Sequence, residues 1–358
     1  THLMFCGGDL APKSDNRDAQ GTSAPVPFAA PGDAVHVSIS IVVPDMPGRF
    51  RGTFRLQTPD GERFGPRCWI DLTVPEEQPQ SEQQLLSQPG LRRAFELFAV
   101  DLPALARREW TLALQGADGD TLRLAADLAN RRGWYDRAVF TLSSGEALRL
   151  YDLRFPLASQ DGLVPQAGQA GIEPAWAYGI LRAESAWMSD AQSGADARGL
   201  MQLVPATAAL VAKRNGFDWG GGDTLYDPVT NIALGTRYLA QMAARFNGSP
   251  WLASAAYNAG PNKVDQWLAA RGTLAPDLFV ATIPYKETRE YVARVMAFSV
   301  IYDWRLHGTA VPLTTRLSAI GQPYGLPNAS TVRRPISCSA VEPVSAPAVP
   351  SSAANAPP

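Results

Sequence analysis

Residues 172–187 read IEPAWAYGILRAESAW, and their period decides how the second half of the chain folds. Pro174 after Glu173 suits a helix start, because proline lacks an N–H that the first turn would leave unpaired anyway. If the helix runs over 174–188, Glu184 shares a face with Ile180 and Leu181 one turn earlier, and with Trp187 and Met188 one turn later. A carboxylate among such neighbours loses hydration, which disfavours its charged form and raises its pKa. A general acid near neutral pH needs that property. The period alone leaves open a structural carboxylate, or a charge facing solvent at the helix end.

The helical pattern extends outward over residues 166–308. In YDPVTNIALGTRYLAQMAARF (226–246), Asp227 reads as an N-cap and Pro228 as the first helical residue. Ile232, Tyr238, Leu239 and Met242 follow at helical spacing. AAYNAGPNKV (255–264) closes one helix at Gly260 and opens another at Pro261. IPYKETREYVARVMAFSVIYDW (283–304) starts a long final helix at Pro284. Upstream, residues 85–165 are also helical, and DTLRLAADLANRRGWYDRAVFTL (120–142) gives two antiparallel helices joined near Gly133. Such a unit looks like one repeat of a helical solenoid and must lean on neighbours to bury its faces.

Residues 1–76 carry a different period. AVHVSISIVV (34–43) alternates Val35, Val37, Ile39 and Ile41 against His36, Ser38 and Ser40. RFRGTFRL (49–56) places Phe50, Phe54 and Leu56 on one face, and CWIDLTV (68–74) does the same with Ile70, Leu72 and Val74. Between them, TPDGERFG (58–65) supplies turn chemistry. Short strands separated by Pro and Gly turns predict an antiparallel β-sandwich. The expected division is a β-sandwich over 1–76, a linker over 77–84, a helical linker domain over 85–165 and a helical domain over 166–325. Residues 326–358, ending in VEPVSAPAVPSSAANAPP, are expected to be disordered.

Composition narrows the chemistry. The 358 residues carry a formal net charge of −2, which makes no case for nucleic acid or an anionic membrane surface. No apolar run approaches the roughly 18 residues of a membrane-spanning helix. Bulky Phe5 before Cys6, with no apolar region ahead of it, argues against a lipoprotein cleavage site. His2, His36 and His307 are too few and too scattered for a Ser-His-Asp triad or a His-rich zinc site. Chemistry here must run on carboxylates, hydroxyls or amides. The three cysteines, Cys6, Cys68 and Cys338, lack metal-ligand spacing. Cys6 and Cys68 lie in the same β-rich segment and either pair in an oxidising compartment or remain semi-buried thiols.

Two resemblances add to this reading. After Glu184 come SGADARGLMQLVPATA (193–208), DPVTNIALGTRYL (227–239), ASAAYNAGPNKV (253–264) and ATIPYKETREYV (281–292). In that order and spacing they resemble the catalytic domain of soluble lytic transglycosylases, which has a goose-lysozyme-like helical fold. Residues 85–155, with RFPLA (154–158), resemble the linker helices that precede that domain. FCGGDLAP, PGDAVHVSISIVVPDMPGRFRGTFRLQTPDGERFG and CWIDLTV resemble the later part of the four-tryptophan, immunoglobulin-like domain of selective-autophagy receptors and some bacterial proteins. Only Trp69 of its tryptophans stands in this stretch, and its first strands are missing, so the sandwich is expected to be incomplete.

The first resemblance implies that Glu184 is the catalytic acid and base, that the substrate is peptidoglycan glycan strands and that no metal or organic cofactor is needed. It implies a periplasmic or cell-envelope location and no nucleic-acid partner. In the family the glutamate protonates the oxygen between N-acetylmuramic acid (MurNAc) and N-acetylglucosamine (GlcNAc). It then takes the proton of the muramoyl 6-hydroxyl, closing a 1,6-anhydro ring. Ordinary glycosidases need two carboxylates, but here the substrate brings the nucleophile. Gln202 carries over as an amide for substrate or backbone positioning, or caps a helix. Tyr257 and Asn258 carry over as a groove-floor pair, the tyrosine holding Glu184 or the N-acetyl group, unless it is an ordinary core residue. Glu287 carries over as a second acidic groove residue or is a first-turn helix glutamate, and Ser193 as a groove serine. Asp196 replaces a glycine of some members and Val204 a methionine of many. Within enzymes the alternative is a hydrolytic, goose-type muramidase; outside them it is a glycan- or protein-binding adaptor.

Overall fold

The computed structural model describes residues 1–8, 23–30, 34–37, 39, 41, 48–74, 82–328 and 330–336. It divides into two units, Thr1–Gln84 and Leu85–Pro358.

In the first unit, β1 (His2–Gly8), β2 (Ser23–Pro25), β3 (Gly48–Gln57) and β4 (Arg63–Val74) form one antiparallel sheet in the order β2-β1-β3-β4. The period of two in β3 sorts its side chains. Phe54 is buried and meets Phe5 of β1 edge-on at 5.6 Å, whereas Arg49, Arg51 and Arg55 point to the other face. The turn between β3 and β4 closes where Gly61, with φ +90°, donates its N–H to Thr58 O at 3.0 Å.

Two expectations for this unit are corrected. Residues 34–37 and 39 lie in no strand, and Ile41 makes only an isolated bridge; the other residues of 34–43 lie outside the described ones. Val35 is 39% exposed, so the alternation there buries little. Cys6 and Cys68 are free thiols. They sit on β1 and β4 with β3 between them, and two strand spacings (about 9.5 Å) exceed the reach of a disulfide. Cys338 lies outside the described residues.

The second unit is helical: α1 (Glu82–Ser87, continuing from the first unit), α2 (Pro89–Ala99), α3 (Pro103–Ala113), α4 (Gly119–Arg131), α5 (Tyr135–Thr141), α6 (Tyr151–Arg154), α7 (Gln160–Gln169) and α8 (Pro174–Glu184). Then come α9 (Pro205–Asn215), α10 (Pro228–Arg245), α11 (Pro250–Ala259), α12 (Pro261–Arg271), α13 (Pro276–Ala281) and α14 (Lys286–His307). A short hairpin pairs β5 (Thr309–Ala310) with β6 (Arg334–Pro335), with α15 (Leu313–Arg316) between. No described helix is long and apolar enough to cross a membrane.

The first helices enclose Phe95, Trp110 and Trp134, whose rings meet edge-on at 5.2 to 5.8 Å. Gly133, at φ +76°, joins α4 to α5 as the sequence predicts. Asp227 caps α10, accepting from Thr230 N at 2.8 Å. The main core lies where α8 packs along α14. At Gly179 a Cβ would stand 3.0 Å from Val295 O, so only glycine lets the two backbones come this close.

The chain beyond α14 folds back onto the body, so order extends past residue 325. Asp303, 1% exposed, accepts from Val311 N at 2.7 Å and from Arg316 at 3.0 Å, and also pairs with Arg333. Arg316 in turn pairs with Glu173, just before α8. A buried aspartate needs such partners, and they hold residues 330–336 in place. The rest of the expected disordered tail, 337–358, lies outside the described residues.

Candidate active site

Helix α8 stops at Glu184, four residues earlier than the period predicts. Ser185 N still reaches Leu181 O at 3.1 Å, but Ala186 and Trp187 take left-handed backbone, with φ +48° and +74°. Two consecutive non-glycine residues in that region are strained, and such strain gathers at functional sites. The turn carries Trp187 away from the face of Glu184. Its ring packs on Tyr178 at 5.7 Å, and its Nε1 donates to the Tyr302 hydroxyl at 3.4 Å.

Glu184 therefore sits at the C-terminal end of a buried helix, over Ile180 and Leu181, both fully buried. Burial pushes its carboxyl up to about 7. The Tyr291 hydroxyl, which donates to Oε1 at 2.5 Å, and the positive charge of Arg294 oppose that rise, while the charge of Glu287 adds to it. The negative end of the helix dipole acts in the same upward direction. Glu287, Tyr291 and Arg294 are four and three residues apart, so one stripe of α14 faces the carboxylate. Tyr291 stays protonated, because burial and then the neighbouring Glu184 charge hold its pKa well above the usual tyrosine value.

The resemblance offers Tyr257 as a tyrosine that holds Glu184 or the N-acetyl group, unless it is an ordinary core residue. The structure gives that bond to Tyr291, and the Tyr257 hydroxyl instead donates to Met201 O at 2.8 Å. Tyr257 is still close enough for the Glu184 charge to raise its pKa, after burial. It thus ties the GLMQ segment to the floor beside Glu184.

That segment is held at several further points. Gln202, at φ +48°, donates through Nε2 to Ala191 O at 3.1 Å and Gly199 O at 3.0 Å, so its amide braces backbone. Asn231, fully buried on α10, accepts from Met201 N at 2.7 Å and donates to Arg198 O and Leu225 O. Gly199 sits at φ +71°, where a Cβ would stand 2.0 Å from Leu225 O. Gly199→Ala should cost about 3 kcal/mol or more. Gly216→Ala, also at φ +71° but in open space, should cost about 1 kcal/mol. Urea unfolding midpoints of the two variants check this.

Ser193 is exposed, and its Oγ accepts from Ala195 N at 3.3 Å and Ala197 N at 3.1 Å, closing a turn. Asp196 takes the left-handed backbone a glycine would, at φ +61°, and binds Arg198 at 2.8 Å. Val204 is 38% exposed just before α9. Asn258 Oδ1 accepts from Thr288 Oγ1 at 2.6 Å, linking α11 to α14. Glu287 is exposed on the first turn of α14. Glu184, Tyr257, Asn258 and Glu287 thus converge, with Gln202 behind the loop and Ser193 on its outer turn.

Two residues of the site went unread in the sequence. Tyr291 stands four residues after Glu287 in KETREYV, a spacing that puts both on one helix face. Asn231 is a polar residue on the apolar stripe of α10, which marks a buried hydrogen-bonding role.

The helical linker segment also reaches this loop. Arg107 of α3 donates to both oxygens of Asp190, at 2.5 and 2.7 Å, and to Asp136 at 2.9 Å. Arg107→Ala removes a partner from the nearly buried Asp136 and frees the loop after Asp190. It should lower stability by about 2 to 3 kcal/mol, with Arg137 left to compensate in part. A denaturant midpoint unchanged from the parent would contradict this.

Residues 165–280 match the family model of the Transglycosylase SLT domain, and residues 84–148 that of the soluble lytic murein transglycosylase L domain. Residues 282–310 match the soluble lytic transglycosylase helical domain, and residues 1–74 the Ig-like domain from next to BRCA1 gene. The chain is 35% identical over 227 residues to the soluble lytic murein transglycosylase of Salmonella typhimurium, covering 63% of this chain and 35% of that protein. It is 42% identical to lytic transglycosylase Slt of Pseudomonas aeruginosa, solved as an inactive mutant, with a TM-score of 0.58 over 63% of this chain and 36% of that one. Against the 70 kDa soluble lytic transglycosylase of Escherichia coli the identity is 33% and the TM-score 0.61, over 69% of this chain and 40% of that one. Both resemblances read from the sequence hold: the chain carries an SLT domain and, before it, an Ig-like domain. It spans 35% of the length of the first curated relatives it matches.

Proposed function

From an SLT domain in which a carboxyl set over an apolar face ends a helix, we propose that this chain is a peptidoglycan lytic transglycosylase. It cleaves the MurNAc-β-1,4-GlcNAc bond without water and leaves 1,6-anhydroMurNAc ends. The observation that carries the reading is Glu184, with its carboxyl pushed up to about 7 and its Oε1 bound by Tyr291. The Pseudomonas aeruginosa relative supports it, being an inactive mutant with glutamine in place of a glutamate.

Each step follows from the site. Below pH 7 a large share of Glu184 is protonated and donates its proton to the glycosidic oxygen. The carboxylate left behind is received by the Tyr291 O–H, which strengthens as the charge forms. Glu184 then takes the proton from the muramoyl 6-hydroxyl, whose oxygen closes on the anomeric carbon. The substrate's N-acetyl group steadies the developing positive charge. Protons balance across the two steps, so one carboxyl suffices where hydrolysis with a bound water calls for two.

The other residues shape the groove. Asn258, whose Nδ2 has no acceptor among the described residues, offers a donor to an acetamido oxygen. Glu287 acts on Glu184 through its charge. Tyr257 and Gln202 keep the GLMQ loop against the saccharide, and Ser193 lines its rim. We assign residues 166–325 to the catalytic domain, 85–165 to its helical support and 1–76 to the Ig-like domain, with the periplasm or cell envelope as the place of action.

Mass spectrometry of products from purified sacculi tests the reading. Anhydromuropeptides are the expected result. Reducing-end muramic acid would replace it with a hydrolytic muramidase, and no release at all would leave an adaptor.

A further inference from the structure

The polar face of the β1-β3-β4 sheet carries five arginines. Arg49, Arg51 and Arg55 of β3 point to it. Arg63, Arg67, Trp69 and Asp71 of β4 share it, since Gln57 pairs with Arg63, Thr53 with Trp69 and Arg51 with Asp71. The opposite face carries Phe5 and the buried Phe54, so the arginine face is the outer one of the sheet.

The positive charge is not spread evenly. Asp71 takes Arg51 through two hydrogen bonds, at 2.5 and 2.7 Å, and Arg49 at 3.5 Å. Arg63 and Arg67 are exposed and have no acceptor among the described residues, and Arg55 uses its Nε on Gly65 O at 3.1 Å. Arg55, Arg63 and Arg67 line one hollow of about 150 Å³ together with Thr53 and Cys6. Beside it stands Trp69, 63% exposed, its indole flanked by Arg51 at 6.0 Å.

This combination selects a ligand. Guanidinium forks bind carboxylates bidentately. An extended basic track would suit a polyphosphate chain, but Asp71 neutralises one end of the patch and leaves a local site. A large exposed indole offers a flat apolar face to the C–H face of a sugar ring, at little entropic cost. Carboxylate and sugar ring together describe a glycan that carries carboxylated substituents.

We propose that this face of the Ig-like domain binds an anionic glycan, with Arg55, Arg63 and Arg67 taking a carboxylate and Trp69 stacking on an adjacent sugar. The inference rests on the reading of peptidoglycan as substrate and names the stem-peptide carboxylates as the anion. The domain then holds the enzyme on the wall independently of the groove around Glu184.

The test is cosedimentation of the full chain with purified sacculi. The Arg55→Gln/Arg63→Gln/Arg67→Gln variant should bind about tenfold more weakly, and Trp69→Ala several-fold more weakly. Amidating the sacculus carboxylates should weaken the parent chain to the same degree and leave the triple variant unchanged. Raising salt to about 0.5 M should erase most of the difference between parent and variant, because these charges are exposed. Circular dichroism of the variants confirms the sheet. Equal binding by parent and triple variant would overturn the proposal. Poly-glutamate that displaces the chain from sacculi, with Trp69→Ala without effect, would also overturn it in favour of an acidic-peptide surface. Release of anhydro products from short soluble glycans should be the same in all variants. If the parent releases none yet the triple variant loses binding, the catalytic reading fails and the wall-binding face stands.

Discussion

Glu184→Gln should release no anhydromuropeptides above background, a loss of about 10³-fold or more, while the chain keeps its fold. The amide matches the carboxyl in shape and can still accept from Tyr291, but it can neither donate an acidic proton nor take one back. The parent enzyme needs the protonated acid, so its rate should fall as pH rises through about 7. Stability carries an independent mark of the same group. A folded-state pKa raised above the unfolded value means that the folded chain binds more protons between about 4.5 and 7. Stability therefore declines as pH climbs through that window, the cost being absent below 4.5 and complete above 7. Glu184→Gln should thus be more stable than the parent by about 3 kcal/mol at pH 8, with no such gain at pH 4. Thermal melts at the two pH values read this without any substrate. Full activity in the variant would remove Glu184 from the mechanism.

Tyr291→Phe should cost about 10- to 100-fold in rate and move the alkaline limb of the pH profile upward. The hydroxyl at 2.5 Å favours the charged form of Glu184, so deleting it lets burial raise the pKa further. The shift should be about one pH unit. A residue that merely fills space would lower the rate without moving the profile, so an unmoved limb would reduce Tyr291 to packing. Tyr257→Phe serves as the comparison. It releases Met201 O and loosens the GLMQ loop, and should raise KM more than it shifts pH dependence.

How much of this was legible follows from distance along the chain. The period of two in RFRGTFRL and the caps at Pro174, Asp227 and Pro261 are local chemistry, and they appear in the structure where the sequence places them. The apolar face around Glu184 was legible as a local anomaly, but the period left the role of that carboxyl open, and only the later blocks of the resemblance singled it out. The end of its helix was not legible. The left-handed turn at Ala186 and Trp187 is bought by packing Trp187 on Tyr178 and Tyr302, one of them 115 residues away. The strand expected at 34–43 failed on the residues described, because alternation alone does not supply a partner edge.

The sequence by itself determined the two architectures, the order of the groove blocks and the placing of a carboxylate on an apolar helix face. Each depends on residue type and short spacing, which secondary structure turns directly into faces and ends. Only the tertiary structure decided which hydroxyl serves that acid. The resemblance offers Tyr257 alone, but packing of α14 along α8, made possible by Gly179, brings Tyr291 across 107 residues to Glu184. The pKa of the acid was set there as well, since burial and the charges of Glu287 and Arg294 come from that packing and not from its neighbours in sequence.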